Sequence, residues 1–258
     1  MSKIIRIDMT ELKVTTEKSP PDLQLLGGRG LSARILNAEV PAVAHPLSKD
    51  NRLVVAPGIL GGTMAPSFGR ISFGAKSPLT RTIKESNAGG TAAQKLDRLG
   101  IKAIIVQGKP KDNETFIVSI DSKEAKIIPA PEISGKMNYE LVKSLQDSYG
   151  KGIGVISIGP AGEARLAAST IGITDQDGRP SRHAGRGGLG AVMGSKGIKA
   201  MVINAEGTRA VEPLNKAAFT ETIKDLIEIL KQDKGAQSFS EFGTPGGIKF
   251  LSRLGSMP

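Results

Sequence analysis

Arg182-His183-Ala184-Gly185-Arg186-Gly187-Gly188-Leu189-Gly190-Ala191-Val192-Met193-Gly194-Ser195-Lys196 sets five glycines and three fixed cations in fifteen residues. Glycine lets a backbone come close to a ligand and reach positive φ. Consecutive N–H groups can then form a concave nest for an anion, and arginine adds a planar, bidentate fork. The stretch reads as a phosphate grip, and the bland alternative is a tight glycine loop that carries no ligand. Gly185-x-Gly187-x-x-Gly190 also spells the dinucleotide fingerprint, with Glu206 downstream. That motif needs a strand directly before it, whereas residues 175–181 read as a polar loop, and Gly194 comes too soon for a full crossover helix. A P-loop fails as well, because it needs Gly-Lys-Ser/Thr where the chain has Gly194-Ser195-Lys196.

Working outward, the pattern predicts an α+β fold of mixed or antiparallel sheets. Residues 3–9 and 12–17 alternate apolar and polar around a turn, as a hairpin does. Gly27-Gly28-Arg29-Gly30 opens a helix through Leu36. Buried-type strands are expected at 53–56 and 70–75, separated by a Gly/Pro loop, and further strands at 103–107, 115–121, 124–129, 153–158, near 166–173, and 199–204. Helices are expected at 91–99 and 137–149. Asn87-Ala88-Gly89-Gly90 stands just before the first of these, a second candidate anion site at a helix N-terminus. Leu53-Val54-Val55-Ala56-Pro57-Gly58 and Val155-Ile156-Ser157-Ile158-Gly159-Pro160 echo each other. Two similar halves that clasp a two-part ligand, or coincidence, both account for the echo.

Composition shifts after Gly207. Phe219, Ile223, Leu226, Ile227 and Leu230 recur at helical spacing, predicting an amphipathic helix at 214–233. A polar linker over 233–240 and a short helical pattern at 246–254 follow. The expected division is a domain at 1–207 and the start of a helical domain at 208–258. The 258 residues carry a net charge of +10, 3% aromatics, two histidines and no cysteine. A basic chain suits a polyanionic partner, but the cations are dispersed and stacking aromatics are nearly absent, which argues against nucleic acid. Without cysteine the chain alone holds no disulfide and no thiolate-bound metal or cluster. No signal-peptide pattern or membrane span is legible, so the expected location is the cytoplasm.

Taken together and in order, several segments resemble the N-terminal region of the tungsten-containing aldehyde ferredoxin oxidoreductase family. They are Leu26-Gly27-Gly28-Arg29-Gly30-Leu31, residues 51–66, Gly69-Arg70, Lys76-Ser77-Pro78-Leu79-Thr80, Ser86-Asn87-Ala88-Gly89-Gly90, Ile158-Gly159-Pro160-Ala161-Gly162-Glu163, and residues 184–196. Phe242-Gly243-Thr244-Pro245 and Leu254-Gly255-Ser256-Met257-Pro258 resemble interior family segments. The resemblance implies a base of two β-sheets that cradles a tungstopterin or molybdopterin cofactor, two pterins per metal. The complete enzyme would oxidise an aldehyde or related carbonyl substrate with ferredoxin as electron acceptor. It implies that Arg70, Asn87, Gly89, Arg182, His183 and Gly185 contact the cofactor, and that backbone carbonyls of Asn87 and His183 hold a magnesium ion between the phosphates. His183 departs from the small residue associated with that position. No catalytic residue falls in this chain. The 4Fe-4S cluster is expected only with cysteine-bearing domains, present as further domains or as a separate subunit. The alternative is a non-catalytic fragment or assembly module that keeps the fold without turnover.

Overall fold

In the computed structural model, which describes residues 2–256, the strands are β1 (Lys3–Asp8), β2 (Lys13–Lys18), β3 (Leu53–Pro57), β4 (Ile71–Lys76), β5 (Ile83–Ala88), β6 (Ile101–Gln107), β7 (Phe116–Ile120), β8 (Ala125–Pro129), β9 (Gly154–Ser157), β10 (Ile171–Ile173), β11 (Arg182–Ala184) and β12 (Ile198–Ile203). The helices are α1 (Gly28–Glu39), α2 (Ala92–Arg98), α3 (Asn138–Tyr149), α4 (Pro160–Glu163), α5 (Leu189–Ser195), α6 (Lys216–Gln232), α7 (Lys234–Phe242) and α8 (Ile248–Arg253). Met257 and Pro258, the end of the last family-like segment, lie outside the described residues. The chain forms an α+β fold whose strands lie in two mixed six-stranded sheets, ordered β2-β1-β6-β3-β4-β5 and β8-β7-β12-β9-β10-β11.

The second order is the first advanced by six. The pairings repeat too: β1 with β6 and β7 with β12 are parallel, and every other pairing is antiparallel. α1 and α3 occupy the same place in each half, as do α2 and α5. Even the irregularity repeats, because both parallel pairings skip one residue, Lys102 on β6 and Lys199 on β12. These lysines stand in identical words, Gly100-Ile101-Lys102-Ala103 and Gly197-Ile198-Lys199-Ala200. The echo at 53–58 was the visible trace of this duplication, aligned one residue off. Val54 pairs with Ile105 and Val155 with Val202, which matches Leu53 to Gly154 rather than to Val155.

Burial follows the alternation. One face of each sheet turns inward, where Ile5, Ile7, Val55 and Phe73 meet Val118, Ile156, Ile173 and Met201, with α2 and α5 in the same core. The opposite faces carry one helix each: Leu31, Ile35 and Leu36 of α1 on the first sheet, and Leu141, Val142 and Leu145 of α3 on the second. Full burial of each such side chain is worth about 1.5–3 kcal/mol.

Several expectations are corrected. The strand expected near 166–173 begins only at Ile171; residues 164–169 are turns, with Arg165 at φ 58°. β5 and β11 were not anticipated, because both are short edge strands rich in polar residues. The polar linker of 233–240 is mostly α7, whose first turn Asp233 caps through Ala236 N–H. Residues 175–181 are the loop expected there, but the three-residue β11 stands between them and the glycine fingerprint. It still makes no dinucleotide unit, since three antiparallel pairings separate β11 from β12 and α5 spans seven residues.

Contacts divide the chain into two compact units, residues 2–63 with 67–211, and residues 64–66 with 212–256. The first holds both sheets. The second holds α6, α7 and α8, none of which has a buried residue.

Candidate functional site

The equivalence of the two halves brings the sequence-chosen residues into register. Asn87 lies opposite Ser72, and His183 lies opposite Gly172; Ser72 lies opposite Ala56 and Gly172 opposite Ser157. Asn87-Ala88-Gly89 of the first half therefore matches His183-Ala184-Gly185 of the second. Arg70, just before β4, donates from Nε to Asn87 Oδ1 at 2.6 Å and from Nη2 to the Asn87 carbonyl at 3.3 Å. Its counterpart Thr170 bonds His183 Nδ1 through its hydroxyl at 3.1 Å. The same contact is thus made twice with different chemistry.

The two trios end on adjoining strands. β5 and β11 lie side by side, and Arg186 N–H donates to Ser86 Oγ at 3.1 Å. Ser77 Oγ donates to the Gly187 carbonyl at 2.7 Å, which holds the glycine loop against the first half. Gly89 and Gly185 leave space over the backbone: an added Cβ at Gly89 meets nothing within 4 Å, and at Gly185 only Thr170 Cγ2 at 4.0 Å. Arg182 and His183 are exposed.

The rest of the glycine run does something else. A Cβ at Gly188 would stand 1.8 Å from the Ala167 carbonyl oxygen, at Gly190 2.5 Å from that of Thr170, and at Gly194 2.0 Å from that of Gly162. These glycines pack α5 and its N-cap against the backbone of α4 and of residues 167–170. Lys196, counted among the cations of the phosphate grip, is buried. Its Nζ donates to the carbonyls of Ser48, Asn51 and Gly108 at 2.8–2.9 Å. At the start of α2, Thr91 N–H donates to the Thr174 carbonyl at 2.9 Å, and Ala92 and Ala93 are buried.

Ser77, Ser86 and Thr170, which build the junction, were missed by sequence reasoning. Their only signal was position beside the chosen motifs. No cluster of three or more His, Asp or Glu side chains suited to a metal occurs among the described residues. A cation here would have to rely on backbone carbonyls or on ligand oxygens. Around Gly172, Ser157 Oγ and Asn138 Oδ1 are buried without a hydrogen-bond partner. Space over Gly89 and Gly185 and the nearby arginines fit a phosphate-bearing cofactor.

Residues 4–205 match the family model described as aldehyde ferredoxin oxidoreductase, N-terminal domain. The chain belongs to the aldehyde ferredoxin oxidoreductase family. A tungsten-containing aldehyde ferredoxin oxidoreductase of Pyrococcus abyssi is 35% identical over 260 residues, covering 99% of this chain and 41% of the relative. The WOR-like subunit of an aliphatic sulfonate oxidoreductase of Pyrococcus furiosus is 30% identical, covering 95% of this chain and 40% of the relative. Among solved structures, the active-site complex BamBC of benzoyl coenzyme A reductase with 1,5-dienoyl-CoA superposes with a TM-score of 0.82. It is 30% identical and covers 89% of this chain and 34% of that one. The chain spans about two-fifths of the length of the aldehyde ferredoxin oxidoreductases it matches.

Proposed function

We propose that this chain is the cofactor base of a tungsten or molybdenum bis-pterin oxidoreductase. The observation that carries the reading is the pairing of Asn87-Ala88-Gly89 with His183-Ala184-Gly185 at the junction of two equivalent halves. A cofactor of two pterins on one metal has the same approximate two-fold character. Arg70 and Arg182 would neutralise the phosphates, with Gly89 and Gly185 admitting them close to the backbone. The carbonyls of Asn87 and His183 would face a magnesium ion, a hard cation suited to oxygen ligands. Arg70 would then give up its bond to the Asn87 carbonyl and turn its fork to phosphate, while its Nε keeps the Asn87 side chain in place. When bound, the metal–pterin group would supply the two-electron oxidation of an aldehyde or related carbonyl substrate.

The domain assignment follows: residues 1–207 hold the cofactor, and 208–258 begin a helical domain. The chain has no cysteine, so a 4Fe-4S cluster would sit on further domains or a cysteine-bearing subunit, with ferredoxin beyond it. The setting is cytoplasmic; no helix of the described residues is long and apolar enough to cross a membrane. The test is production in a host that makes tungstopterin, followed by elemental analysis, pterin fluorescence and mass spectrometry of copurifying chains. One tungsten or molybdenum and two pterins per chain, lost in Arg70→Ala together with Arg182→Ala, is the expected result. Folded protein that copurifies with neither metal nor pterin overturns the reading in favour of a non-catalytic module.

A further inference from the structure

The duplication leaves one place where the two halves are finished differently. At the end of the sheets away from Arg70 and His183, the first half is closed by a residue of the second. Lys196, just past α5, puts its Nζ on the carbonyls of Ser48, Asn51 and Gly108. Asp50 and Asp8 stand close enough to favour its charge. The register that matches Leu53 to Gly154 and Lys102 to Lys199 matches those three carbonyl residues to Tyr149, Gly152 and Ala205. All three of these line a cavity of about 490 Å³, a size typical of small-molecule sites.

No side chain takes the role of Lys196 here. Its counterpart on α2 is Leu99, and Lys95, one turn earlier, reaches only the Gly152 carbonyl, at 2.6 Å. Thr208 occupies the Ala205 carbonyl with its N–H at 3.2 Å and its hydroxyl at 2.6 Å. Two of the acceptors are thus answered, and cations are in surplus. Lys95, Arg98 and Lys151 all line the cavity, with Glu206 as the one carboxylate among its lining residues. Among the described residues none of the three cations forms an ion pair. Lys151 stands where the first half has Asp50, so an acid that balances Lys196 is replaced by a base. Burial and the neighbouring Arg98 both lower the pKa of Lys95, as befits a cation without a counter-charge. Gly150, Gly152 and Gly207 line the cavity too. An added Cβ at any of them meets nothing within 4 Å, so a ligand can approach the backbone.

We infer that this cavity binds the dianionic phosphate group of a small organic molecule, with the Arg98 fork and the Lys95 and Lys151 ammonium groups shared among its oxygens. A dianion, rather than a single carboxylate, matches three cations set against Glu206 alone. The cavity lies outside the cofactor site, and the assignment stands whether or not a pterin binds there.

The test titrates the full chain with inorganic phosphate by calorimetry, in a background of Arg70→Ala and Arg182→Ala that removes the arginines of the cofactor end. One phosphate per chain should bind. Arg98→Gln with Lys151→Gln, both exposed positions, should weaken it roughly tenfold or more, the scale of lost hydrogen bonds between charged groups. Lys13→Gln with Lys18→Gln removes the same charge from β2 and should leave the affinity unchanged. The Lys95 side chain, followed by NMR, should titrate at higher pH with phosphate than without. Equal losses in the two double variants, a Lys95 titration that phosphate does not move, or no phosphate bound in the arginine-free background each overturn the site and leave the cofactor reading untouched.

Discussion

Two buried ionisable groups outside the site set opposite pH dependences. Asp97 Oδ2 has no hydrogen-bond partner, and Gly61 leaves it just enough room. Burial raises its pKa to about 8, only partly offset by the Lys102 ammonium. Between the ordinary carboxylate value of 3.8 and about 8 the folded state holds the extra proton. Its contribution to stability is therefore complete below that window and lost as pH rises through it. Asp97→Asn should flatten that fall, seen as a melting temperature that declines less from acid to neutral pH. Lys196 runs the other way. Burial lowers its pKa to about 7, with Arg52 adding to the effect. Between about 7 and 10.5 the unfolded chain holds the extra proton, so this residue's contribution grows with rising pH. Lys196→Met would leave three buried carbonyls without a donor and should cost about 2–4 kcal/mol by urea denaturation.

At the scale of elements, contacts through glycine decide where helices sit. A Cβ on Gly74 of β4 would approach Ser32 Cβ at 2.8 Å and Leu36 Cδ1 at 3.1 Å, so α1 lies directly on that strand. Gly74→Val should push α1 outward and cost about 1–3 kcal/mol, measured by chemical denaturation. Gly194→Ala meets the Gly162 carbonyl, which cannot swing aside, and should yield little soluble protein. The elements legible in advance were those with one buried face or an uninterrupted apolar run: the first hairpin, α1, α3, β3, β6 and β12. β5, spelled Ile83-Lys84-Glu85-Ser86-Asn87-Ala88, carries no such signal, because an edge strand with a polar face obeys its partner rather than its own pattern. The chosen site residues came from the family resemblance that the ordered motifs carry. Their mutual relation, Arg70 on Asn87 and Thr170 on His183, depends on strand register, which no local pattern encodes. The repeated Gly-Ile-Lys-Ala word was visible but short, and only the matching bulges give it meaning.

For the whole molecule, stability resides in the unit that contains the sheets. α6, α7 and α8 bury no side chain, so a chain ending at Val211 should unfold in one cooperative step with nearly the same midpoint, checked by calorimetry. Within the sheet unit the halves depend on each other. The inward faces of both sheets share one core, and each half lays its last helix on the other: α2 touches β9 and β12, while α5 touches β3 and β4. Residues 108–115 are the covalent joint between β6 and β7. Cut there and coexpressed, the halves should associate one to one, whereas either alone should aggregate, read by size-exclusion chromatography. The reciprocal docking carries a further liability. A half that meets its complement on a neighbouring molecule finds the surface it would have found at home. Shortening the joint should therefore produce a domain-swapped dimer in which each pair of sheets is completed by two chains.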